Sequence, residues 1–207
     1  MNVRELGALQ LDGLREVSNV GAGHAATALS QLTGRRIMVE VPRIAIVPLE
    51  GIAELVGKPD TVMAGVVLQV LGDVTGRAIQ LFPTRTATRI VEILLRRTGI
   101  EFPDGLAELE RSALMEVGNI LTGAYLNALS DFLGMLLLAS VPALAIDLVG
   151  AILTSSHLNF REDADELVIC VDTLFSMDED EVALNGHFLL LPDPASLEVM
   201  LRALRLA

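Results

Sequence analysis

The sequence predicts an α/β protein built from two copies of one unit related by a pseudo-twofold axis. Three observations carry that expectation. Sliding the 207-residue chain by 100 positions lays LREVSNVGAGHAATALSQLTG over LMEVGNILTGAYLNALSDFLG. Each copy opens with a long stretch of helical apolar periodicity. Each then continues into apolar, β-rich segments punctuated by Gly and Pro.

In the shifted frame Leu14 meets Leu114, Glu16 meets Glu116, Val17 meets Val117, Asn19 meets Asn119 and Gly23 meets Gly123. Ala28-Leu29-Ser30, Gly34, Val41-Pro42 and Ala45-Ile46 also recur. Further on the identities fade, but Leu81-Phe82-Pro83 and the helical segment after it are echoed by Leu190-Leu191-Pro192 and LEVMLRAL.

The first element is a helix from about Leu9 to Leu32. At 100° per residue Leu14, Val17, Ala25, Ala28, Leu29 and Leu32 share its core side, and Gly34 supplies the stop. Strands follow near Arg36 to Val41 and Ile44 to Val47, then a short helix after Pro48. The segments Thr61 to Val70 and Arg77 to Phe82, joined through Gly72-Asp73 and Gly76, read as a hairpin, with a third helix after Pro83.

The second half repeats the scheme. Its long helix spans about Leu106 to Leu133, with Leu114, Val117, Leu121, Ala128 and Phe132 toward the core, and its strand pair lies near Leu167 to Phe175 and Leu184 to Leu191. The run FLGMLLLASVPALAI, Phe132 to Ile146, is shorter than the ~20 residues of a membrane helix and reads as buried core. Between the halves RRTGIEFPDG is the one linker-like stretch, and it is short. Residues 1–207 are therefore expected to form one domain, with repeat units of approximately 1–100 and 101–207.

Charge and cysteine usage narrow the setting. With 27 acidic and 15 basic side chains, the net charge of −12 repels phosphate backbones and anionic head groups, so neither nucleic acid nor a membrane surface is an expected partner. The single Cys170 cannot form an internal disulfide and reads as a small buried hydrophobe, which fits a reducing cytosol. MNVRELGALQ carries charges of both signs and no apolar signal core, so a cytoplasmic location is expected.

Conventional cofactor motifs are weak. Gly21-Ala22-Gly23-His24-Ala25-Ala26 loosely matches a dinucleotide fingerprint, but it sits inside a helical pattern with no strand before it. His24, His157 and His187 have no Cys or His partners at ligand spacing, so no metal site of this chain's own is expected.

What remains is the outward face of each long helix. Asp12, Glu16 and Asn19 lie within about 60° of one another and opposite the core stripe, and Ser112, Glu116 and Asn119 repeat the pattern. A Glu on a solvated face is ordinary. A mid-helix Asn costs up to ~0.7 kcal/mol relative to Ala, and the exposed side returns no packing energy. Neighbouring outward positions diverge between the copies, Arg15 to Met115, Thr27 to Asn127 and Gln31 to Asp131, while the Glu-x-x-Asn pair is kept. That retention points to use. Pro42 and Pro142, each 23 residues after its Asn, mark the shared register and suit a strand edge or turn.

This doubled pattern resembles the CheC family of bacterial chemotaxis, whose motif is Asp/Ser-x-x-x-Glu-x-x-Asn followed about 22 residues later by Pro. It stands here at Asp12-Glu16-Asn19-Pro42 and again at Ser112-Glu116-Asn119-Pro142. The resemblance covers essentially the whole chain and implies two long helices packed on a mostly antiparallel sheet. It implies an enzyme that dephosphorylates the aspartyl phosphate of a phospho-CheY response regulator, with no cofactor of its own because the regulator brings Mg²⁺. Asn19 and Asn119 would orient the attacking water, Glu16 and Glu116 would dock on the regulator's Lys, and Asp12 and Ser112 would support that contact. The family also implies a CheD deamidase partner, with Asp147 as the candidate contact. Ser18 and His24 depart from the common wording of the motif, so equality of the two sites is not implied. The alternative is a non-catalytic adaptor that binds CheD or a regulator.

Overall fold

One antiparallel sheet runs through both repeats. The computed structural model describes residues 8–100, 102, 106–157, 167–177 and 183–203, with side chains from 12 onward in the first helix and not for 156 and 157. Within them the chain runs α1 (Ala8–Thr33), β1 (Ile37–Pro48), α2 (Leu49–Val56), β2 (Val62–Gly72), β3 (Gly76–Pro83), α3 (Thr84–Leu95), α4 (Glu108–Leu133), β4 (Leu137–Ala139), β5 (Ala143–Leu148), α5 (Val149–His157), β6 (Leu167–Met177), β7 (Leu184–Pro192) and α6 (Pro194–Ala203).

The strand order β1-β6-β7-β3-β2-β4, with β5 also on β2, reads alike from both ends. β1 (37–48) and the β4/β5 pair (137–148) are the same segment at +100, and each closes one edge. The pseudo-twofold axis therefore passes between β3 and β7, which pair with each other across the repeat boundary.

The two expected strands near Arg36–Val41 and Ile44–Val47 are one strand. β1 pairs with β6 on both sides of an irregularity between Glu40 and Arg43, where Val41-Pro42 sits. A bulge absorbs the proline's missing donor without ending the strand. In the second copy Ser140 to Pro142 splits the edge into β4 and β5 instead. The hairpin formed by β2 and β3 and the helix after Pro83 stand where expected.

Alternation of side chains sorts the sheet into two faces. Val66, Leu68, Phe82, Val171, Phe188 and Leu190 meet α1, α3, α4 and α6. Met63, Ile79, Leu81, Cys170 and Leu189 meet α2 and α5 on the other side. α1 and α4 are closed by equivalent glycines, Gly34 and Gly134, with φ of 69° and 64°.

Two expectations about burial are corrected. Leu32 and Phe132, equivalent ends of the two core stripes, are 45% and 37% exposed, while the next residue in each helix, Thr33 or Leu133, turns inward instead. Nor is the apolar run from Phe132 to Ile146 core throughout: Leu133, Met135, Leu137, Leu144 and Ile146 pack on the core, but Leu136, Leu138 and Val141 are 54%, 50% and 87% exposed. It forms an outer edge of the sheet, and in β4 Leu137 turns inward between exposed Leu136 and Leu138.

Candidate functional site

The two polar stripes lie on paired helices. α1 and α4 pack antiparallel: Gly13 faces the Phe132 ring, and Gly21 faces Tyr125 and the Ala124 carbonyl. Tyr125 is held in turn by Thr173 of β6, 3.1 Å from its hydroxyl, and stacks on Phe188 at 4.8 Å. Burial and loss of solvent contact push the Tyr125 phenol up to about 12. The seam between the helices is thus tied to the sheet, and the stripes face away from it.

Asp12, Glu16 and Asn19 are exposed, as are Ser112 and Glu116, whereas Asn119 is half-buried. None of the six side chains hydrogen-bonds or ion-pairs with another described residue. In each copy the three groups span about 10 Å along the helix at 1.5 Å per residue. The first stripe is a short polar ridge of two carboxylates and an amide, the second of a hydroxyl, a carboxylate and an amide, and the amides and the hydroxyl both donate and accept.

The two ridges are separate sites. In the antiparallel register Glu16 sits across from the neighbourhood of Leu129, about thirteen residues from Glu116, which is ~20 Å of helix. A shared carboxylate pair for hydrolysis needs ~10 Å or less, so joint action by Glu16 and Glu116 is excluded.

The copies differ beneath the amides. Gly118 lies against Val66 so closely that a Cβ there would come within 2.5 Å of it, which seats α4 directly on β2. The equivalent Ser18 is buried and borders a small gap with Tyr125, Ile169 and Phe188. α4 is fixed at its start, where the Glu110 carboxylate accepts the Ala107 N–H at 2.7 Å and pairs with Arg97 at 2.9 Å. Sequence reading missed Leu109, 61% exposed on the same ridge as Ser112 and Glu116. Its sign was an apolar residue three positions before Ser112, on the polar face.

Asp147 lies on neither ridge. It is exposed on β5, opposite Met63 in the pairing with β2, so it belongs to the α2/α5 face. His24 is exposed, and the side chain of His157 lies outside the described residues. Cys170 is buried, as expected, and burial with the nearby Asp172 charge raises its thiol to about 12. Sequence spacing offers His187 no Cys or His partner, but the fold brings one near. The β6–β7 pairing brings Cys170, Asp172 and His187 together, with their donor atoms within 4.8 Å of one another. Among the described residues, no helix is long and apolar enough to cross a membrane.

Comparison with known proteins follows the same duplication. The model of the CheC-like family matches residues 9–46 and 109–146, which contain the two ridges and their prolines. CheY-P phosphatase CheC of Bacillus subtilis is 34% identical over 94% of this chain and 93% of its own length. In fold, the chain is similar to Thermotoga maritima FliY, with a TM-score of 0.75 at 18% identity over 97% of this chain and 98% of that one. It is also similar to a chain in the CheX-CheY-BeF3-Mg complex of Borrelia burgdorferi, with a TM-score of 0.51 at 16% identity over 84% and 96%.

Proposed function

The chain belongs to the CheC-like family, and from that premise we propose that it hydrolyses the aspartyl phosphate of a CheY-type response regulator. The observation that carries the reading is the pair of outward Glu-x-x-Asn ridges whose polar groups have no partner within the described chain. Groups left unpaired on a helix face are available to a second protein. A relative named a CheY-P phosphatase is 34% identical over almost the whole chain, and a protein of similar fold has been solved bound to CheY.

The chemistry asked of each ridge is small. An acyl phosphate is already activated, and the regulator's own Mg²⁺ supplies charge neutralisation at the phosphoryl oxygens. What remains is to hold a water in line with the leaving carboxylate. Asn19 or Asn119 does this by accepting a hydrogen bond from the water or donating one to it. Glu16 or Glu116, one turn earlier, pairs with the regulator's Lys and sets the docking register, with Asp12 or Ser112 extending the contact. The net charge of −12 gives an acidic regulator no long-range attraction, so docking rests on these short contacts.

The direct test follows loss of phosphate from a phosphorylated CheY-like regulator with and without the chain. Acceleration is the expected result; binding with an unchanged phosphate lifetime makes the chain an adaptor.

A CheD-type deamidase is the second partner we assign, through Asp147 on the opposite face of the sheet. Asp147→Arg is expected to cut CheD binding at least tenfold while leaving regulator dephosphorylation unchanged. Loss of both activities together, or of neither, removes that assignment.

A further inference from the structure

Across three neighbouring strands the α2/α5 face carries a row of polar groups that the ridges do not use. Arg43 on β1 stands opposite Asp172 on β6, and Asp172 stands opposite His187 on β7. Cys170 lies two residues before Asp172 on the same side of β6. We propose that Cys170, Asp172 and His187 form a binding site for a divalent transition ion of the zinc class.

The donor set suits such an ion, with one thiolate, one imidazole and one carboxylate. Distances suit it too. Asp172 Oδ1 lies 2.9 Å from His187 Nδ1 and 3.9 Å from Cys170 Sγ, and all three donors fall within 4.8 Å of one another. Bond lengths of 2.0 to 2.3 Å put the ligand atoms of a tetrahedral zinc roughly 3.3 to 3.8 Å apart. The ion therefore needs shifts of about 1 Å or less in side chains alone.

The donors are also held in place. His187 is 7% exposed, with its Nδ1 edge against Asp172. Asp172 is also held from behind: Arg43 Nε takes its Oδ2 at 2.6 Å, leaving Oδ1 turned toward His187 and Cys170. A carboxylate ligand fixed by a second hydrogen bond on its other oxygen is the usual outer arrangement of a metal site.

Binding replaces the Cys170 thiol proton, which leaves to solvent. The neutral imidazole keeps its one proton, carried on Nε2 once Nδ1 binds the ion. Three protein ligands leave a fourth position for water. The site clamps β6 to β7 on the face away from the ridges, so its test is independent of phosphatase activity.

Chelator-treated protein is titrated with Co²⁺. Because Cys170 is the only cysteine, a sulfur-to-cobalt charge-transfer band saturating at one equivalent reports this site and no other. Excess Zn²⁺ is expected to bleach the band and raise the melting temperature. Cys170→Ala is expected to abolish the band, His187→Gln to weaken binding more than 100-fold, and Arg43→Gln by 10- to 100-fold. No sulfur band at saturating Co²⁺ in the wild type, which needs no variant to fold, overturns the site. So does zinc binding of unchanged affinity in folded Cys170→Ala.

Discussion

Replacing Asn19 and Asn119 together by Ala is expected to bring regulator dephosphorylation down to the regulator's own rate, a loss of roughly 10²-fold or more. The two amides are the groups in the ridges suited to orienting a water, and in the antiparallel register Asn19 stands across from about residue 126, roughly seven residues or ~11 Å of helix from Asn119, so neither amide reaches the other's water. Single variants should be unequal. Asn119 is half-buried on a helix seated directly on β2, while Asn19 is exposed above the gap beside Ser18. The more restricted amide is better pre-organised, so Asn119→Ala removes the larger share of turnover. Stability should move the other way. Neither side chain has a partner among the described residues, and Ala is the better helix former by up to ~0.7 kcal/mol at each position. A melting temperature that rises slightly while kcat collapses separates lost chemistry from lost fold; a fall in both would mean that the amides hold the structure rather than the water.

Much of this was legible because duplication writes the sequence twice. A ridge of Glu and Asn on one helix is ordinary amphipathicity, and its recurrence at +100 singled it out before any contact was known. The elements followed from period and punctuation, and Gly34 and Gly134 ended their helices as expected. The misreadings share a cause. Apolar runs report that a segment meets the core, not which of its residues do. Phe132 to Ile146 reads as buried core, but at the β4 edge Leu137 turns inward while its neighbours Leu136 and Leu138 face out. Pro42 divided β1 on paper because a proline ends a ladder unless a bulge receives it, and the bulge becomes visible only from β6 across the way. Cys170, Asp172 and His187 were out of reach for the same reason. A separation of 17 residues between Cys170 and His187 matches no local ligand spacing, and only the antiparallel register of β6 with β7 makes them neighbours.

Gly118→Ala is the glycine substitution in the long helices expected to damage the fold most. A methyl there would lie 2.5 to 2.7 Å from Cβ and both Cγ atoms of Val66, which is itself fully buried in β2. Val66 Cβ is fixed to the strand backbone and cannot rotate away, so α4 must lift from the sheet. Overpacking of this kind costs about 1 to 3 kcal/mol, and the upper end applies where three atoms are met at once. The helix propensity gained on replacing Gly offsets about 1 kcal/mol of it. A net loss of about 1 to 2 kcal/mol lowers the melting temperature by roughly 2 to 8 °C in a chain of this size. Gly123→Ala, five residues along the same helix, has nothing within 4 Å of its new methyl and should stabilise by about 0.5 to 1 kcal/mol, so the sign of the effect reports the Val66 contact rather than glycine content. Asn119 adjoins Gly118, and a lifted helix carries its amide out of line. Gly118→Ala should therefore slow the second site in an Asn19→Ala background and change nothing further in an Asn119→Ala background. Equal losses in the two backgrounds would detach the seating of α4 from the chemistry on its outer face.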